Sequence, residues 1–153
     1  MIYVTVGTMY LDFPRLIHAM DEVALTTEED VVIQTGMGKM VPEHCEHFDF
    51  KSREEVVELQ SRARVIVCHA GIGSVIDALQ VKKPLIVVPR LKEFGEHNND
   101  HQIELAQAVE TRGWGRMVQD ISELADACVN PPKAYMHYAP AKQALIDHLR
   151  ANL

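Results

Sequence analysis

With 153 residues, the chain holds enough material for one fully cored domain and too little for two. Apolar residues make up 47% and charged residues 24%, the profile of a soluble globular protein, and no apolar run approaches the length of a bilayer span. A formal net charge of −7 argues against broad binding to nucleic-acid phosphates. Cys45, Cys68 and Cys128 are odd in number and far apart, with no disulfide or zinc spacing, which fits a reducing cytosol. No basic stretch precedes the first apolar residues, so no signal peptide is expected.

In chain order, Ile2–Val6 reads as a strand, and Pro14 opens a helix continued by Leu16, Ile17, Met20 and Val23. Val31–Gln34 is a second strand, followed by a turn at Gly36–Lys39; His47–Phe50 is a short third. Arg53–Arg62 is helical, with Val56, Val57 and Leu59 facing inward. Arg64–Cys68 and Leu85–Val88 are apolar throughout, as parallel strands covered on both faces should be. A helix starting at Ser74 lies between them. Asn99–Arg112 is a helix closed by Gly113. Arg116–Val118 is a last strand, Ile121–Cys128 a short helix, and Pro131-Pro132 breaks the chain. A final helix runs from about Ala141 to Leu153. The alternation predicts an α/β fold, a Rossmann-like parallel sheet with helices on both faces. Residues 1–129 form the domain, 130–140 a linker, and 141–153 a helix whose Ala141, Ala144, Leu145, Ile146, Leu149 and Leu153 make an apolar stripe.

The residues with chemical potential cluster between Val65 and Gln102. Gly71 and Gly73 sit between a strand and a helix, where glycine lets backbone N–H groups approach a phosphate and the helix start favours negative charge. A tight turn alone also wants glycine. The pattern H-A-G-x-G-S is neither a full G-x-G-x-x-G nor a P-loop. Ser74 and Asp77 have capping-box spacing; Asp77 could equally accept hydrogen bonds from a ribose diol. His97, Asn98, Asn99, Asp100, His101 and Gln102 form a polar run from which Asn99 or Asp100 caps the next helix, leaving side chains suited to a sugar or diphosphate. His97 and His101 could clamp a metal, but no third ligand is evident, and His44–His47 reads as an exposed loop, so no metal site is assigned. Gly7-Thr8 could form a small anion nest or a simple turn. His69 ends a strand at the ligand edge, as a buried or a catalytic histidine. Lys82, Lys83, Arg90 and Lys92 fall within eleven residues that contain no acid, either a solvated patch or an attractor of anions. A flavodoxin-like or receiver domain would put its polar loops after the first strands; here they are densest after residue 68.

His69-Ala70-Gly71-Ile72-Gly73-Ser74…Asp77, Pro84–Arg90 and Asn99-Asp100-His101-Gln102…Leu105-Ala106 together resemble the donor-binding half of family-28 glycosyltransferases. The resemblance covers roughly residues 1–128. The chain is similar to small subunits of split enzymes: the catalytic subunit of the dolichol-pathway N-acetylglucosaminyltransferase, and bacterial exopolysaccharide subunits of the PssE type, which share the longer loop Leu91–Asn98.

The resemblance implies the C-terminal, UDP-sugar-binding half of a GT-B fold. It implies an inverting hexosyltransferase without metal or other cofactor, active only with a membrane-anchored acceptor subunit that carries a lipid-linked glycan. Exopolysaccharide or capsule synthesis at the inner face of the cytoplasmic membrane is the implied setting. Its donor site would comprise Gly7, Thr8, His69, Gly71, Gly73, Ser74, Asp77, Arg90 and the run His97–Gln102, with Asp77 standing where relatives often carry a ribose-binding Glu. No catalytic base is assigned, because the acceptor side would supply it. The alternative is a non-catalytic nucleotide-sugar-binding module that stimulates a separate transferase.

Overall fold

The structure, a computed structural model, describes residues 1–151, leaving aside the side chains of Pro140, Ala141, His148 and Leu149. Its six strands are β1 (Ile2–Thr5), β2 (Val31–Gln34), β3 (Glu46–Phe48), β4 (Val65–His69), β5 (Leu85–Val88) and β6 (Arg116–Met117). They pair in parallel in the order β3-β2-β1-β4-β5-β6. The helices are α1 (Pro14–Thr26), α2 (Arg53–Arg62), α3 (Ile72–Gln80), α4 (His101–Thr111), α5 (Leu124–Val129) and α6 (Tyr138–Ala151).

The four central strands are buried along their whole length, which is why they read as continuous apolar runs. Alternate residues feed two cores. Val4, Ile33, Val67 and Ile86 pack on Leu16, Ile17 and Met20 of α1 and Leu124 of α5. On the other face Tyr3, Ile66, Cys68 and Val87 pack on Val75 and Leu79 of α3, Leu105 and Val109 of α4, and Leu145 of α6. This is the expected Rossmann-like sandwich. From β1 the chain builds outward on both sides, so the strand order reverses between β1 and β4. The crevice at the carboxyl ends of those two strands is where such sheets bind ligands.

Several boundaries differ from the expectation, each for a local reason. The helix expected to start at Ser74 begins at Ile72, because Gly71, extended at φ −92° and ψ 140°, already occupies the cap position. Ser74 is therefore inside the first turn, and the Ser74–Asp77 capping box does not form. The box is found on α2 instead, where Ser52 Oγ accepts from the Glu55 amide and the Glu55 carboxylate accepts from the Ser52 amide. Helix α4 starts at His101 rather than Asn99, since Asn99 Oδ1 accepts the His101 amide across a local turn. On α2, Val57 is exposed and Gln60 is the buried residue.

The segment expected to be a linker is tied down. Tyr135 lies against Trp114, ring centroids 6.4 Å apart, and the last helix starts at Tyr138. Within the expected apolar stripe, Leu145 is buried and Ala144 and Ile146 are half-buried. The side chains of Ala141 and Leu149, and the whole of Leu153, lie outside the described residues.

Candidate functional site

At the carboxyl ends of β1, β2 and β4 lies a cleft of about 580 Å³. Gly7 and Thr8 line it from the β1 end, Gln34 from β2, and His69 from β4. Gly71, Gly73, Ser74 and Asp77 line it from the turn and first turns of α3, and His97 and Gln102 from the segment entering α4. The turn after β4 and the segment entering α4, which follows β5, thus converge on one site through the sheet order.

The glycines have distinct tasks. A Cβ on Gly7 (φ +79°) or on Gly71 would collide with the His69 ring, so both glycines make room for that imidazole. A Cβ on Gly73 would meet no atom within 4 Å, so the cleft stays open over the start of α3. No side chain caps that helix. Its first amides face the cleft without an intrahelical acceptor, and the helix dipole adds positive potential there.

His69 is buried and held at both ring nitrogens. Its Nε2 lies 3.1 Å from Ser74 Oγ, and its Nδ1 lies 3.2 Å from Gln102 Nε2. Gln102 Oε1 in turn accepts from the Arg90 amide at 3.0 Å. Burial, aided by the Arg90 charge, pulls the His69 pKa down to about 3, so the ring is neutral. His97 is also held below the ordinary histidine value, chiefly by burial.

Arg90 is placed elsewhere than expected. It is fully buried, and its guanidinium donates to the carbonyls of Val6, Leu11, Asp12 and Glu96 at 2.6–3.2 Å. It also stacks 4.9 Å from the Phe13 ring centroid. Burial lowers its pKa to about 10 against the pull of Glu96 and Asp12. Arg90 therefore ties the β1 loop to the β5 loop and does not line the cleft. Asn98, Asn99, Asp100 and His101 do not line it either. Asp100 Oδ1 accepts the Lys92 amide at 2.9 Å, and Asn99 holds the helix entry, so backbone satisfaction accounts for both.

The sequence reading missed Gln34, Gln60, Lys51 and Arg53, all of which line the cleft. A polar residue ending the apolar run of β2 was the available signal for Gln34. Its Oε1 accepts from Tyr3 Oη and Thr5 Oγ1, both at 3.2 Å, which leaves Nε2 free among the described residues. Gln60 Oε1 is buried without a hydrogen-bond partner among the described residues. Arg53 approaches Asp77 at 3.5 Å across the cleft mouth, and Lys51 stacks 5.0 Å from the Phe48 ring centroid. Two cations and a helix start against one carboxylate give the mouth a bias toward anions. Among the described residues no group of three or more His, Cys, Asp and Glu converges as a metal site.

A Rossmann-like sheet with an anion-biased cleft at its switch point is the arrangement in which open α/β domains bind their ligands. Residues 1–144 match the glycosyltransferase family 28 C-terminal domain. The chain belongs to that family, and its fold is that of the C-terminal half of a GT-B glycosyltransferase. It is 31% identical over 121 residues to the UDP-N-acetylglucosamine transferase subunit ALG13 of Homo sapiens, covering 73% of this chain and 10% of that protein. The chain thus spans about a tenth of that relative's length. The solution NMR structure of ALG13 superposes with a TM-score of 0.64 at 18% identity, covering 94% of each chain. The calicheamicin glycosyltransferase CalG4 gives a TM-score of 0.64 at 18% identity, over 85% of this chain and 34% of that one.

Proposed function

We propose that this chain is the UDP-sugar-binding subunit of a two-component inverting glycosyltransferase. The observation that carries the reading is the cleft itself. An uncapped helix start, an unobstructed Gly73, the Ser74 hydroxyl and the Lys51 and Arg53 cations surround one space at the strand-order switch. A nucleoside diphosphate fits that chemistry: its phosphates meet the amides and cations, and Asp77 accepts from the ribose hydroxyls. The name of the human relative, a UDP-N-acetylglucosamine transferase subunit, supports both the uridine donor and the subunit role.

In the reaction an acceptor hydroxyl oxygen attacks the anomeric carbon as the bond to the diphosphate oxygen breaks. UDP leaves with that electron pair, and the configuration inverts. The chain's part is to hold the leaving diphosphate and stabilise its growing charge with groups already in place. The proton of the attacking hydroxyl passes to a base on the acceptor side. That side belongs to a membrane-anchored partner presenting a lipid-linked glycan; among the described residues no helix is long and apolar enough to cross a membrane. The setting we assign is exopolysaccharide synthesis with a hexose-type donor, at the inner face of the cytoplasmic membrane through the partner.

Calorimetry tests the reading. UDP binds the wild-type chain, and Asp77→Asn weakens it by about 1–2 kcal/mol through the lost charge-assisted hydrogen bonds. Because Asp77 caps nothing, thermal stability stays put. Unchanged UDP affinity in the variant removes Asp77 from the site, and no UDP binding at all by the wild type rejects the donor reading. UDP-glucose, UDP-galactose, UDP-glucuronate and UDP-N-acetylglucosamine, with and without partner, then identify the sugar. Donor binding without transfer in the assembled pair would mark a stimulatory module.

A further inference from the structure

The hydrogen-bonded chain behind the cleft has only one consistent arrangement of protons. The Arg90 amide can only donate, so the Gln102 atom 3.0 Å from it is the carbonyl oxygen. That fixes the amide orientation and turns the Gln102 NH2 toward His69 Nδ1, 3.2 Å away. A nitrogen facing a donor must be the unprotonated one, so the neutral ring carries its hydrogen on Nε2. Nε2–H points at Ser74 Oγ, 3.1 Å away, and occupies one oxygen lone pair. The serine hydrogen is then excluded from the His69 side and available to the cleft that Ser74 lines.

We infer that Gln102 is a positioning residue: through His69 it fixes Ser74 as a hydrogen-bond donor aimed at the bound ligand. The inference rests on the donor reading only for the identity of that ligand, an anionic diphosphate oxygen. The chain runs from the Arg90 amide through Gln102 and His69 to the Ser74 hydroxyl, each group donating toward the cleft. An acceptor at the cleft end can take the serine hydrogen, while the oxygen keeps one lone pair beyond the one His69 occupies. The ring cannot work as the general base, since its one unprotonated nitrogen faces an amide NH2 inside the protein.

Gly7 and Gly71 flank the imidazole so closely that a Cβ on either would strike it, so the ring is packed from both sides. Glutamine is demanded at position 102 because it alone among near-isosteres accepts at one end and donates at the other. Glutamate offers only acceptors when ionised, and methionine offers no donor.

Nitrogen-15 NMR of the ring, recorded on the ligand-free full chain near pH 7, tests the proton arrangement directly. The expected result is a protonated-type Nε2 and an unprotonated-type Nδ1 for His69, with one tautomer only. A protonated Nδ1, or a mixture of tautomers, overturns the inference whether or not UDP binds. The expected tautomer with no UDP binding leaves the relay standing and removes the ligand. A double-mutant cycle reads the consequence. Ser74→Ala weakens UDP binding roughly five- to tenfold, as expected for one hydrogen bond to an anion. Gln102→Met gives a similar loss together with a mixed His69 tautomer, and the double variant loses little more. Additive losses in a chain that still folds would show that Gln102 acts independently of Ser74 and contradict the relay.

Discussion

Arg90 shows how a functional-looking side chain can be a structural one. Its planar fork reaches four carbonyls contributed by two separate loops, a task the single ammonium of lysine cannot copy. Replacing it by Met leaves those carbonyls facing an apolar stem. Arg90→Met is expected to lower unfolding stability by at least ~3 kcal/mol, with Arg90→Lys recovering only part. Urea denaturation checks this; a loss below ~1 kcal/mol would mean that water replaces the guanidinium there. His69 supplies a pH prediction. Its folded pKa, about 3, lies below the ordinary 6.5, so protonation favours the unfolded chain. The stability it protects is full above pH 6.5 and falls as pH drops toward 3. The His69 contribution amounts to ~1.4 kcal/mol per pH unit within that window. Urea midpoints between pH 7 and 5 should fall more steeply for wild type than for His69→Gln, and parallel curves would contradict a buried neutral ring.

At the scale of elements, α2 is the least secure wall of the cleft. Few of its residues are buried, and its start depends on the Ser52–Glu55 box. Ser52→Ala is expected to cost ~1 kcal/mol of stability. Because Arg53, Val56 and Gln60 of this helix line the cleft, UDP affinity should fall with it. Hydrogen exchange localised to α2 would confirm the link, and unchanged exchange would refute it. The strands and most helices were legible from sequence because Val31–Gln34 and Leu85–Val88 are uninterrupted apolar runs and helical periodicity is strong at Leu16–Val23. What escaped detection depends on three-dimensional context. The capping box on α2 was present in the letters, yet Ser74–Asp77 offered the same spacing on a helix already started by Gly71. Gln34 and Gln60 are single polar residues whose meaning comes only from the fold, Gln34 from the sheet order that carries β2 beside β1 and Gln60 from the packing of α2 beside the cleft. Conversely, the run Asn98–His101 looked rich in ligands, but loop backbone uses Asn99 and Asp100.

For the molecule as a whole, the sheet order gathers the lining of the cleft at the carboxyl ends of the strands, and that end is also where several apolar side chains lie open. Tyr10, Met37, Phe50 and Phe94, each on a loop after a strand, are exposed. Leu145, by contrast, is only 1% exposed, so part of the apolar stripe on the last helix serves the chain's own core. Deleting residues 141–153 is therefore expected to destabilise the domain as well as weaken partner capture, measured by thermal unfolding beside co-purification. An unchanged melting temperature would return that helix wholly to a docking role. UDP binding is expected to survive excess chelator, since helix amides and cations face the space a metal would neutralise; affinity lost in EDTA and restored by magnesium or manganese would contradict this. The most direct test of the central claim is amide chemical-shift mapping during titration with UDP. The account predicts saturable shifts confined to Gly7-Thr8, Gly71–Asp77, Lys51–Arg53 and the His97–Gln102 entry to α4. Shifts centred on any other face of the sheet, or none at UDP concentrations that saturate a relative, would contradict it.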